Sequence, residues 1–328
     1  MLLMYSISRD FGPPKNMPKW RPGIDTGRRL FRTGDAAAFE AALALHARVC
    51  AKIARDDGAA RAAKQQQKKK KKTAGDDRYT WGDIGVVRRD LPKNDEWMRT
   101  GLPQLLKARG RLRKEDMRRL LAWKWAYGKY RPGKTRFEDA NRDDSVGAAT
   151  ANAVSVMETG LESLAGGEGK KGKNADTDTD ALISSAAAAL ITMPQVGPAT
   201  ATAVLSAGYP SLCPFYADEA MESTGMFREP YTLKRYLAFA KLLRTKAEAL
   251  GTDHLDANSI SRALWAVSKA SALGMDVGCC SSTATDSSSS SGIRGRAAGG
   301  ASASSASAAR PSKRRKMSAA AAAANTKQ

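Results

Sequence analysis

Metal-ligating residues are scarce in this chain of 328 residues. It has four cysteines (Cys50, Cys213, Cys279 and Cys280) and two histidines, His46 and His254. No spaced CxxC pair occurs, so neither a zinc site nor an iron–sulfur cluster is predicted. The cysteine usage suits a reducing compartment. No segment approaches the roughly 18 consecutive apolar residues that a membrane span requires. The first ten residues lack the basic-then-apolar order of a secretory signal. Arg28, Arg29 and Arg32 would suit a mitochondrial transit peptide, but Asp10, Asp25 and several prolines oppose it. Alternating β-branched runs are also missing, which predicts an all-α fold.

Basic residues, by contrast, are abundant. Lysine and arginine number 54 against 33 acidic residues, a net charge of +21. That balance favours a polyanionic partner, nucleic acid before membrane. Part of it is terminal: residues 274–328 carry a net +6. The remaining +15 includes Lys64 and the run Lys68, Lys69, Lys70, Lys71 and Lys72, which reads as a solvated linker or a nuclear import signal. Lys313, Arg314, Arg315 and Lys316 form a second candidate signal, so a nuclear location is expected.

Along the chain, residues 1–78 read as a low-complexity basic region. Residues 1–34 are expected to be irregular, and residues 35–66 could form one alanine-rich helix. The folded body is expected from about Tyr79 to residue 273, with Trp81 and Trp97 as core anchors. A helix is predicted over 97–109, with Pro103 able to split it. The next, 113–127, places Met117, Leu120, Leu121, Trp123, Trp125 and Tyr127 on an arc of roughly 200°, with Lys124 inside it, so this helix is mostly buried. Gly128 would cap it. The glycines and Asp/Thr repeats of 160–180 suggest a flexible insert. Helices are predicted over 233–250 and 258–271. From Gly274 onward serine, alanine and glycine predominate and no core could form, giving a disordered basic tail over 274–328.

The stretch Met193-Pro194-Gln195-Val196-Gly197-Pro198-Ala199-Thr200-Ala201 carries the most chemistry. The alanine-rich run 181–191 favours a helix, and Pro194 ends it. Gly197 permits a tight turn and close approach of a ligand. Pro198 suits the first turn of a second helix over 199–207, stopped by Gly208. Open amides at that second N-terminus make a phosphate site without any basic side chain.

These residues resemble the Leu-Pro-Gly-Val-Gly-x-x-Thr-Ala hairpin of the helix-hairpin-helix DNA glycosylase superfamily, whose Gly/Pro-rich loop ends in a catalytic aspartate. The resemblance implies a helical glycosylase-like domain. It also implies DNA contact through Gln195, Gly197, Ala199 and Thr200, and no cofactor beyond a monovalent cation at the hairpin. Asp218, 21 positions after Gly197, falls where the catalytic aspartate is expected. Two positions depart from the pattern. Gln195 stands where the first hairpin glycine belongs. Ala199 stands where bifunctional members carry a lysine nucleophile, so no lyase chemistry is implied. Trp123-Lys124-Trp125-Ala126-Tyr127-Gly128-Lys129-Tyr130-Arg131-Pro132, with Val-Gly-Pro-Ala-Thr-Ala downstream, is also similar to a group of eukaryotic proteins, many of them fungal, with no established activity. That likeness spans about residues 96–269, with an interruption near 160–180.

Each candidate has a plain structural alternative. Asp218 could simply cap a helix. Lys124, the second catalytic candidate after Asp218, could pack its stem and expose its ammonium, pair with a carboxylate such as Asp218 or Asp139, or be held ready for phosphate. Trp123 and Trp125 could be core residues or a stacking wall for an extruded base. Lys129 and Arg131 could complement a helix dipole or contact phosphate. The resulting expectation is sequence-independent binding of DNA, duplex before RNA, with monofunctional base excision open at Asp218. The rivals are a non-enzymatic nucleic-acid-binding relative and a scaffold protein with basic tails.

Overall fold

The computed structural model describes residues 23–68, 88–128, 135–166, 175–226 and 230–278. Twelve helices lie in these segments, and no strand occurs among the described residues. They are α1 (Ile24–Thr33), α2 (Ala36–Lys68), α3 (Leu91–Arg99), α4 (Gly101–Arg109), α5 (Lys114–Tyr127) and α6 (Thr135–Ala140). The others are α7 (Asp143–Gly166), α8 (Ala175–Ile191), α9 (Pro198–Gly208), α10 (Asp218–Ser223), α11 (Leu233–Leu250) and α12 (Ala257–Ala272).

The centre of the fold is α12. Ile260, Ala263, Leu264, Trp265, Ala266 and Val267 are all fully buried, so this helix is apolar on most of its circumference. It packs against α1, α2, α10 and α11. Asp256 starts it by accepting a hydrogen bond from the Ser259 amide at 2.7 Å.

The folded body begins well before Tyr79. Both α1 and α2 belong to it, with Ile24, Leu30, Phe31, Phe39, Ala42 and Val49 buried. Residues 24–33, expected to be irregular, form a helix because its backbone can approach α12 closely. Gly23 sits at φ 83°, and a β-carbon there would meet the Ser268 carbonyl. A β-carbon at Gly27 would meet the hydroxyls of Ser223 and Ser268. Trp81 lies outside the described residues, as do the terminal lysine-rich tail and Lys69–Lys72 (Lys68 is the last residue of α2).

The predicted 97–109 helix is two helices. Pro103 clashes with a helical carbonyl four residues upstream, which is Arg99, the last residue of α3. The break therefore falls at Thr100, whose hydroxyl donates to the Glu96 carbonyl at 2.9 Å. Of the predicted 160–180 insert, residues 160–166 belong to α7 and 175–180 to α8, and residues 167–174 lie outside the described residues. Asp176 and Asp178 occupy the first turn of α8, where negative charge complements the helix dipole. The repeats that suggested a loop thus start a helix.

A buried polar joint ties four helices together. Asp95 of α3 accepts from the Trp123 indole at 3.1 Å and from Arg99 Nε at 3.1 Å. His46 Nδ1 of α2 lies 3.4 Å from Asp95 Oδ2, the oxygen that also accepts from Arg99, and its Nε2 lies 3.1 Å from the Tyr127 hydroxyl. A neutral imidazole protonated on Nδ1 satisfies both contacts. Tyr127 stacks on Trp265 of α12 with centroids 3.8 Å apart, and the Trp265 indole donates to the Tyr127 carbonyl at 3.2 Å.

Burial lowers the His46 pKa to about 4, against the smaller raising effect of Asp95 and with the help of Arg262 and Arg99. The folded value lies below the unfolded one, near 6.5. The stabilising effect of the neutral form is therefore fully present above pH 6.5 and is lost as pH falls towards 4. Stability should drop by about 1.4 kcal/mol per pH unit across that window, and His46→Gln should flatten the slope when urea denaturation is followed as a function of pH. Asp95→Ala should cost about 3 kcal/mol at neutral pH, because it leaves the Trp123 indole and the His46 ring without their acceptor. An unchanged urea midpoint in that variant would refute the joint.

Candidate functional site

The α8–α9 turn is built by its own backbone. The Met193 amide donates to the Leu190 carbonyl at 3.2 Å, and the Val196 amide to the Met193 carbonyl at 3.1 Å. From the α6–α7 connection, Asn141 Nδ2 donates to the Pro194 carbonyl at 2.9 Å. Gln195 has φ 66°, and among the described residues no other non-glycine has positive φ. The backbone thus makes the left-handed turn that a glycine would make, at a cost of roughly 1–2 kcal/mol.

Gly197 plays a different part from the one expected. Its φ of −103° and ψ of 179° are extended, so it needs no special conformational freedom. Nothing lies within 4 Å of where its β-carbon would be. It is the N-cap of α9, and its carbonyl accepts from the amides of Thr200 at 2.9 Å and Ala201 at 3.0 Å. The amides of Gly197 and Ala199 precede these first helical bonds, and Pro198 has none to offer.

Asp218 is brought to this turn by a second pinned segment. The Phe215 amide donates to Asn258 Oδ1 at 3.0 Å, and the Phe215 carbonyl accepts from the Ser261 hydroxyl at 2.9 Å, fixing the loop to α12. Just beyond, Glu219 pairs with Lys269 of α12 at 2.9 Å. Asp218 is the first residue of α10 and not its N-cap. That position is Ala217. Its Oδ1 accepts a hydrogen bond from the Tyr231 hydroxyl.

The two segments and α5 enclose one cleft of about 270 Å³. Of the residues singled out from sequence, Lys124, Gln195, Gly197, Ala199, Thr200 and Asp218 line it. Thr200 is a buried wall residue, so its side chain is not a surface contact. The cleft has four aromatic lining residues that the sequence did not point to: Tyr127, Phe215, Tyr216 and Tyr231. Tyr216 and Tyr231 meet edge-on, with centroids 5.7 Å apart. Their nearness to Asp218 was a usable signal for Phe215 and Tyr216, three and two residues before it. For Tyr127 the signal was its place three residues after Lys124 on the same face of the helix.

Trp123 and Trp125 do not form a stacking wall here. Trp123 is buried, packs against Tyr127 and Phe215 at 4.8 Å, and gives its indole proton to Asp95. Trp125 is half-buried against the core and does not line the cleft. Lys129, Arg131 and Lys313–Lys316 lie outside the described residues.

Metal-ligand chemistry appears in one group among the described residues, His46, Cys50 and Asp95, with donor atoms within 4.8 Å of one another. Asp95 is already engaged by Trp123 and Arg99, and two guanidiniums act on His46. Burial, and then Asp95, push the Cys50 thiol well above its ordinary pKa. These conditions oppose both a bound cation and a thiolate, and the group works as the structural joint described above.

No family model, curated protein or solved structure matches the chain.

The strain at Gln195 can be measured directly. Gln195→Gly should leave stability unchanged or raise it by up to about 1 kcal/mol, since relief of strain is partly offset by the greater entropy of the unfolded chain. Gln195→Val, β-branched at positive φ, should lose about 1–2 kcal/mol. Equal urea midpoints for the glycine and valine variants would show that the turn is not left-handed.

Proposed function

We propose that the protein binds duplex DNA through the α8–α9 turn, acting as a helix-hairpin-helix, and that Asp218 serves a monofunctional base-excision activity. The observation that carries this reading is convergence. Lys124, the turn residues Gln195, Gly197, Pro198, Ala199 and Thr200, and Asp218 come from three separate segments and line one cleft. The amides at the start of α9 offer a phosphate site, strengthened by the helix dipole. The Asp218 carboxylate would stabilise an oxocarbenium-like sugar and help water attack it. Phe215, Tyr216 and Tyr231 offer ring faces and edges for an extruded base, in place of the two tryptophans. Ala199 carries no amine, so base release would leave the strand intact. A monovalent cation at the turn belongs to the same proposal, although the Met193 and Pro194 carbonyls already accept bonds from Val196 and Asn141. The net charge of +21 supports a polyanionic ligand, and the two lysine-rich clusters support a nuclear location.

A binding-only relative is the second reading, and a specific observation favours it. Asp218 is only 8% exposed and already accepts from Tyr231. The cleft is also slightly smaller than the roughly 300–1,000 Å³ usual for ligand pockets.

Two variants separate these readings. Gly197→Val places a side chain in open space at an extended position, so the fold should survive with a small loss from the poorer N-cap. Its affinity for duplex DNA should fall about tenfold or more, and the parent's affinity should fall steeply with salt. Undiminished binding by the folded variant would remove the turn from the interface. Asp218→Asn should fold and bind DNA as the parent does, but release no base from a panel of damaged duplexes. A parent inert on every lesion favours the binding-only reading, and equal activity in both proteins eliminates Asp218 as the catalyst.

A further inference from the structure

A second cleft, of about 410 Å³, shares Tyr127 and Phe215 with the first. Its volume falls within the roughly 300–1,000 Å³ of small-molecule sites. Its walls include the side chains of Met98, Arg99, Trp123 and Arg262.

Most polar groups in this lining are already engaged. Asp95 accepts from Trp123 and Arg99. Asp256 caps α12 through the Ser259 amide. Asn258 accepts from the Phe215 amide and donates to the Ser206 carbonyl at 3.3 Å.

The two arginines differ. Among the described residues no hydrogen bond or ion pair reaches Arg262, and its Nε is buried without a partner. Arg99 engages only its Nε, which leaves its terminal nitrogens uncommitted among the described residues. Both guanidiniums lie near enough to His46 to depress its pKa, which sets them in one neighbourhood. A buried donor left unmade on a charged group is costly, and an oxyanion meeting a guanidinium fork removes that cost. The apolar part of the lining is aromatic: Trp123, Tyr127 and Phe215 pack against one another in tilted and edge-on pairs, with Met98 beside them.

We propose that this second cleft binds a mononucleotide-sized organic phosphate, its phosphate held by Arg262 and Arg99 and its flat ring set against the Trp123–Tyr127–Phe215 wall. The phosphate could belong to a free nucleotide or to the phosphorylated end of a strand. The proposal stands on the unpartnered arginine and the cleft, and is independent of the role given to the α8–α9 turn.

The test is calorimetric titration of the full chain with deoxyadenosine 5′-monophosphate, deoxyadenosine, inorganic phosphate and a short single strand bearing a 5′-phosphate. Deoxyadenosine 5′-monophosphate should bind at least about tenfold more tightly than either of its halves, because charge-assisted bonds and ring contact act together. Arg262→Gln should weaken it about tenfold or more while melting nearly like the parent at neutral pH, since no hydrogen bond or ion pair to Arg262 is lost among the described residues. Arg262→Lys, which keeps the charge but loses the fork, should recover only part of the affinity. Gly197→Val, which alters the first cleft alone, should bind the nucleotide normally. Tighter binding of the 5′-phosphorylated strand, competed by the mononucleotide, identifies a strand end as the occupant; weaker binding identifies the free nucleotide. Absence of nucleotide binding, or full affinity in Arg262→Gln, overturns the proposal. So does inorganic phosphate that binds as tightly as the nucleotide, or loss of binding in Gly197→Val.

Discussion

A single buried carboxylate holds the architecture together. Asp95 takes a proton donor from α5 through Trp123 and one from its own helix through Arg99, and faces the imidazole of α2. Through His46 the chain of contacts passes to the Tyr127 hydroxyl, and through the Tyr127 ring to Trp265 in α12. A charge removed from water is tolerated only when such donors surround it. The requirement works in reverse as well. Any movement of α2, α3 or α5 that separates these groups strands a buried charge, so the helices are held in one arrangement. Tyr127, at the end of this chain, is also a wall of both clefts, which links their shape to the joint.

The first cleft is assembled by similar means at its edges. Two irregular segments have to meet across it, and each is fastened by side chains from elsewhere. Asn141 holds the Pro194 carbonyl, while Asn258 and Ser261 hold both backbone groups of Phe215. Between those fixed points the turn carries the left-handed Gln195. Strain of this kind persists where surrounding contacts over-determine the backbone, and it is found most often at functional sites. The extended Gly197 two residues on costs nothing in conformation and leaves open space where a side chain would stand at the start of α9. A strained residue and an unfilled one thus stand two positions apart in the turn, an arrangement that serves access to the backbone better than it serves stability.

Much of the helical plan was legible before the structure. The alanine-rich stretch after residue 35, the Pro194 stop, the Gly208 end and the amphipathic stripe of α11 all follow from local chemistry. So did the grouping of the turn with Asp218, although that came from resemblance to a family pattern. The misreadings have a common cause. Residues 24–33 look irregular alone, and become a helix because two glycines let α12 approach. The Asp/Thr repeats near residue 176 look like a loop until they stand in the first turn of α8. Trp123 was correctly read as facing inward, but a helical wheel cannot say that Asp95, 28 positions away, waits there for its indole proton.

The boundary between the two kinds of information is set by range. Helix formation, helix stops and the apolar face of each helix depend on residues within about one turn of one another, and these the sequence by itself determined. Which helices join the core, which aromatic rings line a cleft and which arginine is left without a partner depend on groups brought together from distant parts of the chain. Arg262 and Arg99 stand in one cleft, and Tyr231 reaches Asp218, only because α12 gathers the other helices around it. Those pairings cannot be read from any local pattern, since they arise from packing, and the tertiary structure alone decided them.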